Sequence, residues 1–313
     1  MRDYFVIGSR GSKLALWQSQ WVKARLEELR PGVEIRIEVI KTSGDVMLNV
    51  PLAAIGGKGV FTKELEEALL ADEIDLAVHS LKDLPTTLPD NLAITAITER
   101  EDARDALVLR EGVAAGSNDA LAGLPQNAVV GTSSLRRQAQ LKHLRPDVEI
   151  KDLRGNVDTR LRKLDEGGYD AIILASAGLR RLGFERRITA AINHTEMLSA
   201  VGQGALGIET RAADARTSAL VSLLEHAPTR AACTAERALL FALGGGCQVP
   251  IAAHAVVEGD TLKLDALVAA LDGRTVIRDQ LDDAPVHAAR AGEALAARLR
   301  EQGADELLEG LVA

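Results

Sequence analysis

Cys247 lies in the segment Gly244-Gly245-Gly246-Cys247-Gln248-Val249-Pro250, in which three glycines and a proline surround a thiol. This composition predicts a loop, because glycine and proline both disfavour the interior of helices and strands. A free cysteine normally packs as a small hydrophobic residue inside an element, so a thiol on a glycine loop indicates covalent chemistry. A glycine turn that exists for steric reasons is the alternative. Cys233 falls within a predicted helix over 229–243 and is predicted to be structural.

Two turns combine hydroxyl groups with cations where a predicted strand becomes a helix. They are Gly131-Thr132-Ser133-Ser134-Leu135-Arg136-Arg137 and Gly8-Ser9-Arg10-Gly11-Ser12-Lys13. Such helix starts bind anions, because their unpaired N–H groups and the helix dipole favour negative charge. Simple N-capping by serine and threonine is the alternative. Capping does not account for the arginines, since a cation in the first helical turn opposes the dipole.

Further arginines occur in Leu153-Arg154-Gly155-Asn156-Val157-Asp158-Thr159-Arg160-Leu161-Arg162 and at Arg180-Arg181. Arginine recognises carboxylates and phosphates with two parallel hydrogen bonds, so several arginines at turns predict a ligand with several acidic groups. For Arg162 or Arg180 taken singly, a solvated surface position is the better interpretation.

Lys41-Thr42-Ser43-Gly44-Asp45 follows a predicted strand, and strand ends are the usual place for ligand groups in open α/β sheets. An ordinary turn aspartate is the alternative for Asp45. The glycine turn Ile55-Gly56-Gly57-Lys58-Gly59 lacks the phosphate-loop pattern, but a lysine beside an open backbone suits a bulky ligand.

Three patterns that suggest other chemistry fail on their context. Gly202-Gln203-Gly204-Ala205-Leu206-Gly207 fits a dinucleotide motif but leads into a predicted strand, not a helix. His79, Ser80 and Asp83 are the residue types of a hydrolase triad, but adjacent residues of a strand point to opposite faces. The six histidines have no metal-ligand spacing, so we predict no metal site.

The composition is that of a soluble globular protein. The 313 residues are 47% hydrophobic and 26% charged, enough for two or three domains. The net charge of -8 argues against sequence-independent binding to nucleic acid. No run of 18 apolar residues and no signal peptide is evident, so we expect a cytoplasmic protein whose two cysteines stay reduced.

Strand and helix patterns alternate over the first two thirds of the chain. Phe5-Val6-Ile7 predicts a strand, Leu14, Trp17, Trp21 and Ala24 predict the apolar face of a helix, and the pattern repeats up to about residue 100. A charged stretch over 99–105 precedes a second α/β region. After about residue 226 a helix, three strands and an Ala-rich helix predict an α+β region. No internal repeat is evident.

Five separated motifs, in this order, resemble those of the porphobilinogen deaminase family, also called hydroxymethylbilane synthase. They are Ala77-Val78-His79-Ser80-Leu81-Lys82-Asp83, Gly131-Thr132-Ser133-Ser134-Leu135-Arg136-Arg137, Leu153-Arg154-Gly155-Asn156-Val157, Val201-Gly202-Gln203-Gly204-Ala205 and Gly246-Cys247-Gln248-Val249-Pro250. The resemblance runs from about Ile7 to the C-terminal end.

This resemblance implies two α/β domains like those of type II periplasmic binding proteins and a small C-terminal α+β domain. The expected boundaries are 1–100 with 200–222, an inserted domain over 101–199, and a third domain over 223–313 that carries Cys247. It also implies a dipyrromethane cofactor, attached to Cys247 through a thioether and built from the enzyme's own substrate. Four porphobilinogen units are then added, and hydroxymethylbilane is released by water, as a step of heme and tetrapyrrole biosynthesis.

The resemblance implies a cationic cleft, because each pyrrole ring carries an acetate and a propionate. The positions that match cofactor-binding residues are Lys82, Asp83, Thr132, Ser133, Ser134, Arg136, Arg137, Arg154 and Arg160, and those that match substrate-binding or hinge residues are Arg10, Ser12, Lys58, Arg181 and Gln203. Asp45 matches the catalytic aspartate, whose carboxylate would stabilise positive charge on pyrrole nitrogens and handle protons. Asp83 is predicted to be structural or an orienting partner of Lys82.

Two positions depart from the pattern of bacterial members. Ala54 stands where a lysine is common, and Asp158 stands where a glycine is common. Because a carboxylate would repel a polyanion, we expect Asp158 to point outward or to pair with Arg162.

Without the resemblance, the residues also fit a two-domain binding protein for an anionic small molecule, and less well a nucleic-acid binder. The resemblance favours a monomeric transferase whose partner is the small molecule porphobilinogen, with neither nucleic acid nor membrane as a partner.

Overall fold

The structure, a computed structural model, describes residues 3–42, 62–113, 120–245 and 249–309. The predictions for Asp45, Ala54, Lys58 and Cys247 concern residues outside these ranges. Within the ranges, no helix has the length and apolar character needed to cross a lipid bilayer.

The elements follow one another in a mixed order of strands and helices. The strands are β1 (Tyr4–Ser9), β2 (Glu34–Val39), β3 (Leu76–Ser80), β4 (Leu92–Ile97), β5 (Asp105–Leu109), β6 (Val129–Gly131), β7 (Glu149–Lys151), β8 (Ala171–Ala175), β9 (Ala190–Ala191), β10 (Leu206–Arg211), β11 (Ile251–Glu258), β12 (Thr261–Ala269) and β13 (Val276–Asp283). The α-helices are α1 (Lys13–Leu29), α2 (Lys63–Leu70), α3 (Leu135–Leu144), α4 (Val157–Asp165), α5 (Ser176–Arg181), α6 (Ala215–Val221), α7 (Ala227–Ala242), α8 (Ala288–Glu301) and α9 (Ala304–Leu308).

The chain divides into two compact units, of which the first comprises Met1–Glu101 and Ala205–Arg230. Its sheet has the order β2-β1-β3-β10-β4, in which β1 runs parallel to β2 and β3 while β10 is antiparallel to both its neighbours. Alternate residues of β1 enter two cores: Ile7 packs with Val22 and Leu26 of α1, and Val6 packs with residues of α2 on the other face. The sheet is therefore covered on both faces, as a strand period of two requires.

The second unit comprises Asp102–Gly204 and Ala231–Ala313. Its five-stranded sheet has the order β7-β6-β8-β5-β9, with β6 parallel to β7 and β8 and with β5 antiparallel to β8. Leu141 of α3 packs on one face, and Leu161 and Leu164 of α4 pack on the other. The strand order repeats that of the first sheet, although the sequence shows no repeat.

A three-stranded antiparallel sheet, β11-β12-β13, belongs to the same unit. Its turns contain Gly259 and Gly273, with φ of 59° and 73°, a region that favours glycine. Residues of α7, α8, β11 and β12 share one core, which includes Leu239 and Leu295. The structure thus confirms the predicted fold class: two α/β sheets and a small C-terminal α+β part.

The buried face of α1 differs from the predicted one. It consists of Ala15, Gln18, Ser19, Val22 and Leu26, whereas Leu14, Trp17 and Trp21 are half-buried and Ala24 is exposed. The prediction was wrong because it assumed that apolar residues alone mark the inward face. Gln18 faces inward because its side chain donates to the hydroxyl of Ser80 at 2.8 Å.

Candidate functional site

Three helix starts lie at one edge of the β7-β6-β8 part of the second unit's sheet. Because these three strands are parallel, the segments that follow them leave from the same edge: 132–134 into α3, 152–156 into α4, and Ala175 into α5. Helix N-termini present unpaired N–H groups, so this edge favours anionic ligands.

The hydroxyls of the turn 132–134, which precedes α3, have different surroundings. Ser134 is the N-cap of α3, but its side chain makes no capping hydrogen bond. Thr132 is buried, and its hydroxyl accepts from the backbone nitrogen of Ser134 at 3.3 Å. The hydroxyl of Ser133 donates to the carbonyl of Leu153 and accepts from its backbone nitrogen at 3.2 and 3.0 Å. Ser133 therefore connects the turn 132–134 to the turn that precedes α4.

Arg136 and Arg137 lie in the first turn of α3, and both are buried, with 5% and 6% of their surface exposed. Nη2 of each guanidinium lies 2.8 Å from a different oxygen of Asp105. Arg136 also donates to the carbonyl of Leu198, and Arg137 to that of Ile173. Each guanidinium therefore already contacts an internal carboxylate, and the binding of the cofactor by Arg136 and Arg137 stays a prediction.

Asp105 is fully buried, and its contacts with these two arginines were not predicted from the sequence. Burial opposes the ionisation of its carboxyl, but Arg136 and Arg137 outweigh that effect and hold the pKa well below its usual range. The sequence feature that could have indicated a buried Asp105 is its position, because it ends the charged stretch 99–105 and begins an apolar strand.

Gln203 is also fully buried, and its amide nitrogen donates to the carbonyl of Ala103 at 2.7 Å and to Asp105 at 2.8 Å. Arg181 is half-buried, and its guanidinium donates to the carbonyl of Gly204 at 2.6 Å. The predicted site residues Gln203 and Arg181 therefore hold the segment through which the chain leaves this unit.

The turn over 152–156, which precedes α4, is held by hydrogen bonds from two side chains of that helix. Nε of Arg160 donates to the carbonyl of Gly155 at 2.7 Å, and Nζ of Lys163 donates to the carbonyl of Arg154 at 3.1 Å. Gly155 has φ of 115°, and a Cβ there would lie 2.8 Å from Cγ2 of Thr159, so glycine is required. Arg154 and Arg160 are both half-buried near the N-terminus of α4.

Asp158, which stands where a glycine is common in bacterial members, lies in the first turn of α4. A carboxylate there interacts favourably with the helix dipole. Its Oδ1 accepts from the backbone nitrogen of Thr159 at 3.0 Å. Nε of Arg162 lies 3.7 Å from Glu166, and both side chains are well exposed.

In the first unit, Arg10 and Lys82 follow β1 and β3, which are parallel and so end at the same edge of that sheet. The hydroxyl of Ser12 accepts from the backbone nitrogen of Ala15 at 3.2 Å, so this residue caps α1. Lys82 is half-buried and Asp83 exposed, both in the one-turn 3-10 helix Leu81–Asp83.

His79 and Ser80 take part in different contacts, as the strand pattern predicts. Nε2 of His79 lies 3.0 Å from Glu209, whereas the hydroxyl of Ser80 accepts from Gln18. The structure therefore brings together no triad of His79, Ser80 and Asp83.

The segment that carries Cys247 links the end of α7 at Ala242 to the start of β11 at Ile251. On its described side, Gly244 has φ of 68°, and a Cβ on Gly245 would lie 2.7 Å from Leu240. Cys233 is fully buried within α7, which confirms its structural prediction.

Comparison with known proteins gives two family matches. Residues 5–219 match the model "Porphobilinogen deaminase, dipyromethane cofactor binding domain", and residues 230–301 match "Porphobilinogen deaminase, C-terminal domain".

Curated relatives cover nearly the whole chain. The porphobilinogen deaminase of Chlorobium chlorochromatii is 50% identical over 312 residues, 98% of each protein. That of Synechococcus elongatus is 51% identical over 307 residues, 98% of this chain and 95% of the relative. A substrate-binding domain of a putative amino acid ABC transporter from Streptococcus pneumoniae aligns with 77% of the chain and 94% of its own length, at 13% identity and a TM-score of 0.44.

Proposed function

Since this chain belongs to the porphobilinogen deaminase family, we propose that it joins four porphobilinogen molecules head to tail on a dipyrromethane primer and releases hydroxymethylbilane. Each addition breaks the bond between the aminomethyl carbon and its nitrogen, so that ammonia leaves. The same carbon then bonds to the terminal pyrrole of the chain, which loses a proton. The final cleavage consumes water.

The described residues fit a cofactor that carries several carboxylates. Nε of Arg137 is buried and makes no hydrogen bond within the described ranges, so it can donate to a bound anion. The side chain of Ser134 is not used for capping, and three helix starts share one edge of the sheet. A polycarboxylate requires a positive field and a donor such as Nε of Arg137, which has no partner among the described residues.

When bound, the dipyrromethane supplies the terminal pyrrole carbon to which new units are attached, and Cys247 is its covalent anchor. The residues proposed to bind its carboxylates are Lys82, Thr132, Ser133, Ser134, Arg136, Arg137, Arg154 and Arg160, with Asp83 orienting Lys82. Arg10, Ser12, Lys58, Arg181 and Gln203 are proposed to bind the substrate or to position the segments around it. Asp45 is the proposed catalytic carboxylate, which stabilises positive charge near the pyrrole nitrogens.

We propose three domains, 1–100 with 200–222, 101–199, and 223–313. The second compact unit holds most of the second and third of these, because they share one core. Ala139 of α3 packs with Leu198 and with Ala252, Leu267 and Ala269 of the three-stranded sheet. Through this core, the sheet that follows the Cys247 segment contacts the helix that carries Arg136 and Arg137.

The enzyme is further proposed to act in the cytoplasm as a monomer without nucleic acid. The net charge of -8 supports the absence of a nucleic-acid partner. Light scattering on the purified enzyme tests the monomer, since a dimer would double the mass.

The observation that carries the function is the identity of about 50% over 98% of the chain. Intact mass spectrometry tests it, with Cys233→Ser as a matched control for Cys247→Ser. We expect wild type and Cys233→Ser to carry a covalent adduct of two linked pyrrole units, and Cys247→Ser to lack it. An active wild-type protein without an adduct would contradict the proposal.

A further inference from the structure

Asp105 is the common partner of three predicted site residues, the neighbours Arg136 and Arg137 and the distant Gln203. Its Oδ1 accepts from Nη2 of Arg137 and from Nε2 of Gln203, each at 2.8 Å. Its Oδ2 accepts from Nη2 of Arg136, also at 2.8 Å. The carboxylate is fully buried, and both of its oxygens already accept hydrogen bonds from these residues.

The cluster formed by Asp105, Arg136 and Arg137 carries a net positive charge. Two guanidinium groups carry two positive charges and Asp105 carries one negative charge, while both arginines are nearly as buried as the aspartate. A buried uncompensated charge is costly unless another group pairs with it. One further anion would neutralise the cluster.

The unused donor in the cluster is on Arg137. Its Nη1 is bonded to the carbonyl of Ile173 and its Nη2 to Asp105, whereas its Nε is buried without a hydrogen bond to any described residue. A guanidinium is planar, so fixing both terminal nitrogens also fixes the direction of the Nε–H bond. Asp105, which this guanidinium contacts, pairs with Ala175 at the end of β8, where α5 begins, so the donor lies at the edge of the sheet that carries the three helix starts.

On these observations we infer that Asp105 is a positioning residue for the cofactor site. It holds the Arg136–Arg137 pair so that Nε–H of Arg137 stays directed to a carboxylate of the bound pyrrole chain. The inference rests on the proposed function, because the ligand that neutralises the cluster is the cofactor. It assigns no proton transfer and no contact with substrate to Asp105.

A purely structural ion cluster would contain the same contacts, so the experiment must separate the two roles. A structural role lowers the stability of the protein equally with and without the cofactor. A positioning role also weakens the interaction with the cofactor, so the loss is larger when the cofactor is attached. This difference is the coupling that a double-mutant cycle measures.

The cycle combines Asp105→Asn with Cys247→Ser in the full-length enzyme, and thermal unfolding and the fraction of protein with the two-pyrrole adduct are measured for all four proteins. We expect the attached cofactor to raise the Tm of wild type above that of Cys247→Ser. In the Asp105→Asn background we expect that difference to fall to about half or less. Folded Asp105→Asn that lacks the adduct altogether also supports the inference.

Asp170→Asn is the matched control, because Asp170 accepts from the backbone nitrogen of Val129 at 2.9 Å and pairs with Arg110, at the other end of β6. It should lower Tm equally with and without Cys247→Ser and keep the adduct. If Asp105→Asn does not fold, Gln203→Met takes its place in the cycle, since it removes a donor to Asp105 while preserving most of the side-chain volume.

Equal loss of Tm in the two backgrounds, with full adduct, overturns the role of Asp105 while the proposed function stands. For Gln203→Met the same criterion applies. A wild-type protein with no adduct and with the Tm of Cys247→Ser overturns the proposed function itself, so the two failures are distinguishable.

Discussion

The carboxylate of Glu236 lies 2.6 Å from the backbone nitrogen of Gly202, and neither residue is exposed to solvent. Its second oxygen accepts from the backbone nitrogen of Ala255 at 2.8 Å. Gly202 has a positive φ of 71° and lies in a turn, so strand pairing provides no acceptor for its N–H. One side chain of α7 thus holds the segment before β10 and the strand β11.

Glu236→Gln is therefore expected to destabilise the protein. An amide has one accepting oxygen in place of two, so one buried N–H loses its acceptor, at a cost of about 1–3 kcal/mol. Urea denaturation checks this, with Glu293→Gln on the exposed face of α8 as the control. Equal midpoints for the two variants would show that the contact contributes nothing.

The period-two and period-3.6 patterns predict where most strands and helices lie, because hydrophobic burial dominates the choice of element. They miss the buried face of α1, where Gln18 replaces an apolar residue by making a long-range hydrogen bond. They also miss the shared strand order of the two five-stranded sheets. Strand order depends on pairing between distant segments, which local periodicity does not encode.

The candidate site shows the same limit. Arg136 and Arg137 are recognisable at a helix start, but their partner Asp105 lies 31 and 32 residues earlier in the chain. Gln203 is 98 residues from the same carboxylate. Turn composition identifies cations and hydroxyls. Which of them are held by internal groups follows only from the three-dimensional arrangement.

Glu66 on α2 predicts a measurable pH dependence. Burial raises the pKa of its carboxyl above the ordinary value of 4.5, and the hydrogen bond from Thr62 only partly offsets this effect. A carboxyl whose folded-state pKa is raised contributes stability below the unfolded pKa, and that contribution is lost as pH rises through the folded pKa. Wild type should therefore lose stability relative to Glu66→Gln as pH rises from about 4.5 to 8.

Denaturation of both proteins across that range gives the comparison. Glu67→Gln is the control, because Glu67 is exposed near Lys63. A constant difference between wild type and Glu66→Gln at all pH values would contradict the raised pKa.

Asp45→Ala should keep the fold and lose most turnover. If Asp45 stabilises positive charge on the reacting pyrroles, its removal is expected to lower kcat by about 100-fold or more. Turnover of porphobilinogen and thermal unfolding are measured together, so that a loss of activity is not a loss of structure. Asp90→Ala, an exposed aspartate of the same unit, should behave as wild type. Full activity of Asp45→Ala would remove the residue from the mechanism.

Arg154 and Arg162 provide a matched pair of arginines on one segment. Arg154 is half-buried in the turn before α4, whereas Arg162 is exposed on the helix 3.7 Å from Glu166. Loss of a charge-assisted hydrogen bond at Arg154→Leu should slow primer assembly or early elongation about tenfold or more. Arg162→Leu should change little, because exposed ion pairs contribute little. Intact mass spectra after brief exposure to porphobilinogen count the attached rings, and a wild-type distribution for Arg154→Leu would contradict its role in binding carboxylates.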